Sequence, residues 1–166
     1  MTRLGRRIAA TIEAAGPISV ADYMATCLFD PQDGYYTTRE PFGVAGDFTT
    51  APEISQMFGE IVGVFLVAAW RGLGSPSPVT LAEIGPGRGT LMKDMLRTVA
   101  RLAPELAEAA YVALIETSPR LTEVQKATLA NASVRPKWHT SIESLPEQPL
   151  LIVGNELFDA IPIRQY

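Results

Sequence analysis

The sequence has almost no cysteine and almost no histidine: Cys27 and His139 are the only residues of their kinds among 166. A lone cysteine excludes a disulfide framework and makes a reducing, intracellular compartment the default. One of each also leaves no Cys/His set for zinc, so no metal is expected. Long apolar runs are missing too. The longest, residues 61–70, is about half of the ~20 residues that a bilayer span requires. No secretory apolar segment or cleavage site follows Arg3, Arg6 and Arg7, and Glu13 speaks against a transit peptide. A cytoplasmic protein without a membrane span is the expectation. Positive charge is also in deficit, with 14 Lys+Arg against 18 Asp+Glu and a net charge of −4. Nucleic-acid backbone binding needs a basic patch, so no nucleic-acid partner is expected. What is plentiful is apolar material, at 47% of residues with a mean hydropathy of +0.12. That is enough for a buried core and too much for intrinsic disorder, in a length that suits one ordinary domain.

Leu4, Ile8 and Ile12 recur at helical spacing and predict a helix over 3–15, stopped by Gly16-Pro17. Ser19 is placed to cap a second helix over 20–29. Residues 30–50 read as irregular, punctuated by Pro31, Asp33-Gly34, Pro41, Gly43 and Gly46. Thr50-Ala51-Pro52-Glu53 has the form of a capping box with proline in the first turn, so one helix should run from there to about residue 71. Its later half is apolar all round, which predicts burial on several sides. After the linker Ser75-Pro76-Ser77-Pro78 the pattern changes. Strands are expected at 79–84, 111–115, 134–138 and 150–153, with helices at 90–103 and 120–130 between the first three. Strands alternating with helices mean a parallel, doubly wound α/β sheet that binds ligands at the carboxyl ends of its strands. Two segments follow: a helical one, 1–74, and a Rossmann-like one, 79–166.

Glu83-Ile84-Gly85-Pro86-Gly87-Arg88-Gly89 leaves the first strand for a helix. Alternate glycines let the backbone turn sharply and approach a ligand, while the helix that follows aims its free N–H groups at an anion there. A dinucleotide fingerprint would need glycine or alanine where Thr90 stands, and a P-loop would need a lysine after Gly89. What remains is an acid leading into a glycine turn. That suits a ligand carrying both an ammonium, which Glu83 could meet directly or through water, and a carboxylate. S-adenosylmethionine (SAM) has both. Glu116 ends the second strand, 27 residues after Gly89, where an acid accepts hydrogen bonds from both ribose hydroxyls. The plainer alternatives are solvated acids at both positions and a turn that serves only packing. Arg88 and His139 stay unassigned, and Cys27 reads as core.

Gly154-Asn155-Glu156-Leu157-Phe158-Asp159-Ala160-Ile161-Pro162 lies just beyond the fourth strand, facing the same edge. Together with the glycine turn and the block Gly46-Asp47-Phe48-Thr49-Thr50-Ala51-Pro52-Glu53-Ile54-Ser55-Gln56-Met57-Phe58-Gly59-Glu60, it resembles the MidA family of SAM-dependent methyltransferases. Mitochondrial members of that family are the complex I assembly factor arginine methyltransferases. The Gly16-Pro17-Ile18-Ser19 and Asp33-Gly34-Tyr35-Tyr36 segments fit as well, so the resemblance covers nearly the whole chain.

The resemblance implies a class I methyltransferase sheet preceded by a helical segment that covers the cofactor, with residues 47–56 in a lid and Gln56 and Phe58 as pocket candidates. It also implies a cofactor site of Glu83, Gly85, Gly87, Gly89, Glu116, Asn155 and Gln56. The substrate would be a protein bearing an arginine, for which a respiratory-complex subunit is one candidate. A carboxylate gripping the guanidinium bidentately orients one nitrogen toward the methyl group. Glu156 is the first choice for that acid and Asp159 the second, the plain alternative being that Asn155 and Glu156 cap the next helix. The chain departs from the family by stopping after its fourth strand, where a class I sheet has seven. It is then a piece of a longer protein, a natural truncation, or a chain whose apolar edge is capped by a homodimer. A non-catalytic assembly scaffold that keeps the fold, and a nicotinamide oxidoreductase, are the competing readings.

Overall fold

The computed structural model describes residues 1–38 and 49–166. The chain divides into two compact units, Met1–Phe48 with Glu156–Tyr166, and Thr49–Asn155. The boundary thus falls near residue 48 and not after residue 74, because the helices that follow Thr49 pack in the same unit as the sheet. Of the expected lid, residues 47 and 48 lie outside the described residues.

In the first unit, α1 (Arg3–Ala15) and α2 (Val20–Phe29) start where the sequence places them. Thr2 Oγ1 accepts from the Gly5 N–H at 3.0 Å, and Ser19 Oγ accepts from the Asp22 N–H at 3.1 Å. Arg7 on α1 grips Asp30, just past α2, through bonds of 2.7 and 3.1 Å. That guanidinium holds the Asp30 carboxyl down to about 2, with the Gln32 and Asp33 N–H groups assisting. A short helix, α3 (Tyr35–Thr38), lies within the stretch expected to be irregular. Cys27 is half-buried on α2 and not in the core.

The second unit holds four strands, β1 (Val79–Ile84), β2 (Ala110–Ile115), β3 (Lys137–His139) and β4 (Leu150–Val153). All pair in parallel in the order β3-β2-β1-β4. β3 begins later than expected, since only its last residues bond β2. The order reverses beside β1, which is the switch point of a doubly wound sheet. The helices are α4 (Ala51–Ile54), α5 (Gln56–Gly72), α6 (Thr90–Leu102), α7 (Pro104–Ala109) and α8 (Pro119–Thr128). Leu91, Met92, Met95, Leu96 and Val99 of α6 are at most 2% exposed. Each stabilises the fold by about 1.5–3 kcal/mol relative to exposure. They pack with Val112 and Leu114 of β2 and with Leu66, Val67 and Trp70 of α5.

Two expectations for residues 50–71 need correction. The single helix is broken at Ser55, whose extended backbone (φ −148°) ends α4 and whose hydroxyl caps α5 at the Met57 N–H. The Thr50 side chain makes no capping bond, the Glu53 N–H donating to the Thr50 carbonyl at 2.9 Å instead, and the Glu53 carboxylate, expected to complete the box, bonds Thr90. The all-round burial of α5 is also absent: Met57, Ile61, Val64 and Phe65 are 49–70% exposed. Its packed face is set by glycines, since a Cβ on Gly59 would sit 2.5 Å from Asp94 Cβ and one on Gly63 2.8 Å from Thr98 Cβ. Among the described residues, no helix is long and apolar enough to cross a membrane.

Gly59→Ala should lower stability by about 1–3 kcal/mol in a urea melt, because the clash outweighs the helix-propensity gain of about 1 kcal/mol. Phe65→Ser on the opposite face should change it by no more than about 0.5 kcal/mol. Equal losses would contradict the one-sided packing of α5.

Candidate functional site

Parallel pairing on both sides of β1 brings three strand ends to one edge. Ile84 is in register with Ile115, and Glu83 with Val153. The glycine turn, Glu116 and Asn155 therefore leave the sheet side by side. Gly85, Gly87 and Gly89 all have positive φ, between 53° and 82°. At Gly89 a Cβ would meet Gln125 and Leu129 only at 3.4 Å, so it is the left-handed backbone (φ 82°) that calls for glycine there. Gly89 gives α6 no side-chain cap, and of the helix's first N–H groups that of Met92 bonds the Glu83 carboxyl, which leaves those of Thr90 and Leu91 at the turn for an anion.

Glu83 lies beneath this turn, 2% exposed. Burial pushes its carboxyl up to about 8, against a backbone hydrogen bond from Met92 that pulls the other way. Among the described residues its Oε2 has no hydrogen-bond partner. Leaving such an oxygen unpaired costs about 1–3 kcal/mol, and a cationic ligand group, bonded directly or through water, removes that cost. The residues present thus fit a ligand that carries an ammonium beside a carboxylate.

Glu116 is half-buried. Its Oε1 accepts from the Ser118 N–H at 2.8 Å and its Oε2 from Gln125 Nε2 at 3.0 Å. Each oxygen keeps a further lone pair, enough for two vicinal hydroxyls. Gln125 escaped the sequence reading because a single glutamine in a helix carries no signal. Glu53 escaped it as well, hidden by its capping-box spacing. Its carboxylate accepts from Thr90 Oγ1 at 2.5 Å and lies 3.9 Å from Arg88 Nε, which ties α4 to the glycine turn and gives Arg88 a partner.

The other candidates are placed as follows. Gln56 is exposed at the start of α5 and donates to Glu60 at 2.8 Å, and Phe58 packs against the core beside α6. Asn155 is half-buried at the end of β4. Its neighbour Glu156 is exposed and takes a left-handed backbone (φ 54°, ψ 21°), a conformation that costs a non-glycine residue about 1 kcal/mol or more. Asp159 follows in the 3₁₀ turn Leu157–Ala160. Both acids belong to the first unit, where their charges, after burial, raise the Tyr36 phenol, so this tyrosine lies within electrostatic reach of each. His139 is held structurally, by the Tyr111 hydroxyl at 2.9 Å and Ser144 Oγ at 2.8 Å.

Residues 61–166 match a family model described as "Putative S-adenosyl-L-methionine-dependent methyltransferase". The chain belongs to this family. It is 39% identical to the Drosophila melanogaster mitochondrial protein arginine methyltransferase NDUFAF7 homolog, over 98% of this chain and 41% of that one. It is 33% identical to the Homo sapiens mitochondrial protein arginine methyltransferase NDUFAF7, over 100% of this chain and 42% of that one. Among solved structures it resembles a Burkholderia thailandensis protein bound to S-adenosyl-homocysteine and described as a "likely methyl transferase". The TM-score is 0.79 at 31% identity, covering 96% of this chain and 42% of that one. The chain thus spans about two fifths of the length of these relatives. The class I methyltransferase fold expected from the sequence is the one found.

The Glu83 carboxyl titrates at about 8 in the folded protein, against an ordinary value of 4.5. Between these values the folded state holds a proton that the unfolded state has lost, so stability falls as pH rises through the window. Glu83→Gln cannot titrate and should gain on the parent chain as pH goes from about 5 to about 8.5. The difference in melting temperature should widen accordingly. A gap that is constant with pH would show that Glu83 keeps its ordinary value.

Proposed function

We propose that this chain binds SAM and is the cofactor-holding portion of a protein arginine N-methyltransferase. The observation that carries the reading is the edge at which the glycine turn, the orphaned Glu83 oxygen and the doubly held Glu116 leave adjacent strands. The fit to the family and to a relative bound to S-adenosyl-homocysteine supports it.

In this reading Glu116 accepts the ribose hydroxyls and the N-terminal amides of α6 receive the amino-acid carboxylate. Glu83 meets the ammonium, directly or through a water. Gly85, Gly87 and Gly89 keep side chains out of the way, and Asn155 and Gln56 are assigned to the rim. When bound, the cofactor supplies a methyl group on a sulfonium. The acid proposed to grip the substrate guanidinium is Glu156, one peptide bond beyond Asn155, with Asp159 second. Two carboxylate oxygens orient one guanidinium nitrogen and localise the group's charge away from it, and the proton leaves after transfer. The strained backbone at Glu156 supports a functional role, since strain of this kind gathers at sites whose geometry is over-determined.

The substrate is proposed to be a protein with an exposed arginine, and the family resemblance makes a respiratory-complex subunit the first to try. Composition supports a cytoplasmic location, whereas the relatives named above are mitochondrial.

S-adenosylhomocysteine at ~100 times its Kd should stabilise the chain by about 2.7 kcal/mol, a rise in Tm of roughly 5–10 °C. Glu116→Ala should abolish the rise, and NADH should cause none. An unshifted melt of the folded parent chain would sink the cofactor reading. In the enzyme, Glu156→Gln should leave cofactor binding intact and slow methyl transfer to an arginine peptide by about 100-fold or more. Undiminished transfer would remove Glu156 from the mechanism.

A further inference from the structure

Gln125 is a fully buried polar side chain that joins the turn, the acid just past β2 and the strand beyond it. It is 0% exposed on α8. Its Nε2 donates to the Gly87 carbonyl at 2.8 Å and to Glu116 Oε2 at 3.0 Å, while its Oε1 accepts from the Trp138 indole N–H at 2.9 Å. The indole can only donate and the carbonyl can only accept, so both determine the same orientation of the amide. Both amide hydrogens are used, and neither Gly87 nor Glu116 can shift without breaking a bond that is costly to lose when buried. On its other oxygen Glu116 is held by the Ser118 N–H at 2.8 Å. Its carboxylate is therefore pinned at both oxygens from the protein side, leaving one outward lone pair on each.

We propose that Gln125 is a positioning residue that locks the Glu116 carboxylate to receive two vicinal hydroxyls and couples that contact to Trp138. It thereby sets the chain's preference for a ribonucleoside ligand over its deoxy counterpart. This rests on the SAM reading above, with Glu116 as the acid at the ribose. Without the amide, Glu116 keeps only the Ser118 bond and can rotate, so the two acceptors no longer present a matched pair. The turn also loses its bond at the Gly87 carbonyl, a loss that both ligands share because it does not involve the hydroxyls. A loss of packing alone would weaken every ligand alike, whereas loss of positioning removes selectively what the hydroxyls contribute.

The test compares S-adenosylhomocysteine with its 2′-deoxy analogue by calorimetric titration of the full chain. The parent chain should favour the ribose form by about 10- to 100-fold, the worth of one hydrogen bond to a charged acceptor. Gln125→Met should bring the two affinities toward parity mainly by weakening the ribose form. Trp138→Phe, which leaves both amide donors in place, should retain the preference. A preference unchanged in Gln125→Met overturns the proposal, as does an equal loss for both ligands. Should Gln125→Met not fold, tryptophan emission carries the test. Saturating S-adenosylhomocysteine should change the emission of the parent chain more than the 2′-deoxy analogue does, and Trp138→Phe should abolish that difference. Equal changes, or a difference that survives Trp138→Phe, overturn it. If the parent chain binds neither compound, the cofactor reading itself falls and takes this inference with it. Binding of both with no role for Gln125 overturns this inference alone.

Discussion

The central position of β1 is the constraint on which the candidate site depends. This strand carries parallel ladders on both sides, to β2 through six register pairs and to β4 through four. Parallel strands send their carboxyl ends the same way, so the glycine turn, Glu116 and Asn155 meet at one edge although they are far apart in sequence. A shift of one residue in either ladder would move Glu83 or its partners to the opposite face. The apolar side chains of β1 secure the register, with Val79, Leu81 and Ala82 at most 2% exposed.

Close helix packing supports that edge from one face of the sheet. Gly59 and Gly63 let α5 approach α6 within reach of Asp94 and Thr98, and α6 in turn covers β1 and β2. Glu53 adds a polar tie between α4 and the first residues of α6. Gln125 adds another from α8 to the turn, so the loop that meets a ligand is fastened from two helices. Such fastening is what a preorganised site requires, since a loop held by glycines alone would have to be ordered at the moment of binding.

Much of this was legible beforehand. The cap at Ser19, the bounds of β1 and β4 and the glycine turn all rest on local chemistry that acts within a few residues, and local chemistry is written in order along the chain. Glu116 drew notice because it stands at the end of the second strand, a position that sequence pattern alone can locate. The misreadings share one cause. The capping box at Thr50 is left incomplete, the Glu53 carboxylate being taken by Thr90, 37 residues away. The apolar circumference of α5 looked buried on all sides, yet only the glycine face meets α6. Gln125 was invisible because nothing in its neighbourhood distinguishes a buried amide from a solvated one.

The sequence by itself determined the kind of fold, the sheet edge at which the candidate residues gather and the family, because hydrophobic period, turn chemistry and motif spacing are properties of short segments. Tertiary structure alone decided which polar groups are satisfied and which are left over. Glu83 is perturbed because α6 closes over it, Glu116 is aimed because Gln125 and Ser118 hold it, and Tyr36 feels Glu156 and Asp159 because the end of its unit's chain returns to it. Burial and hydrogen-bond partnership arise between segments distant in sequence. No reading of one segment contains them.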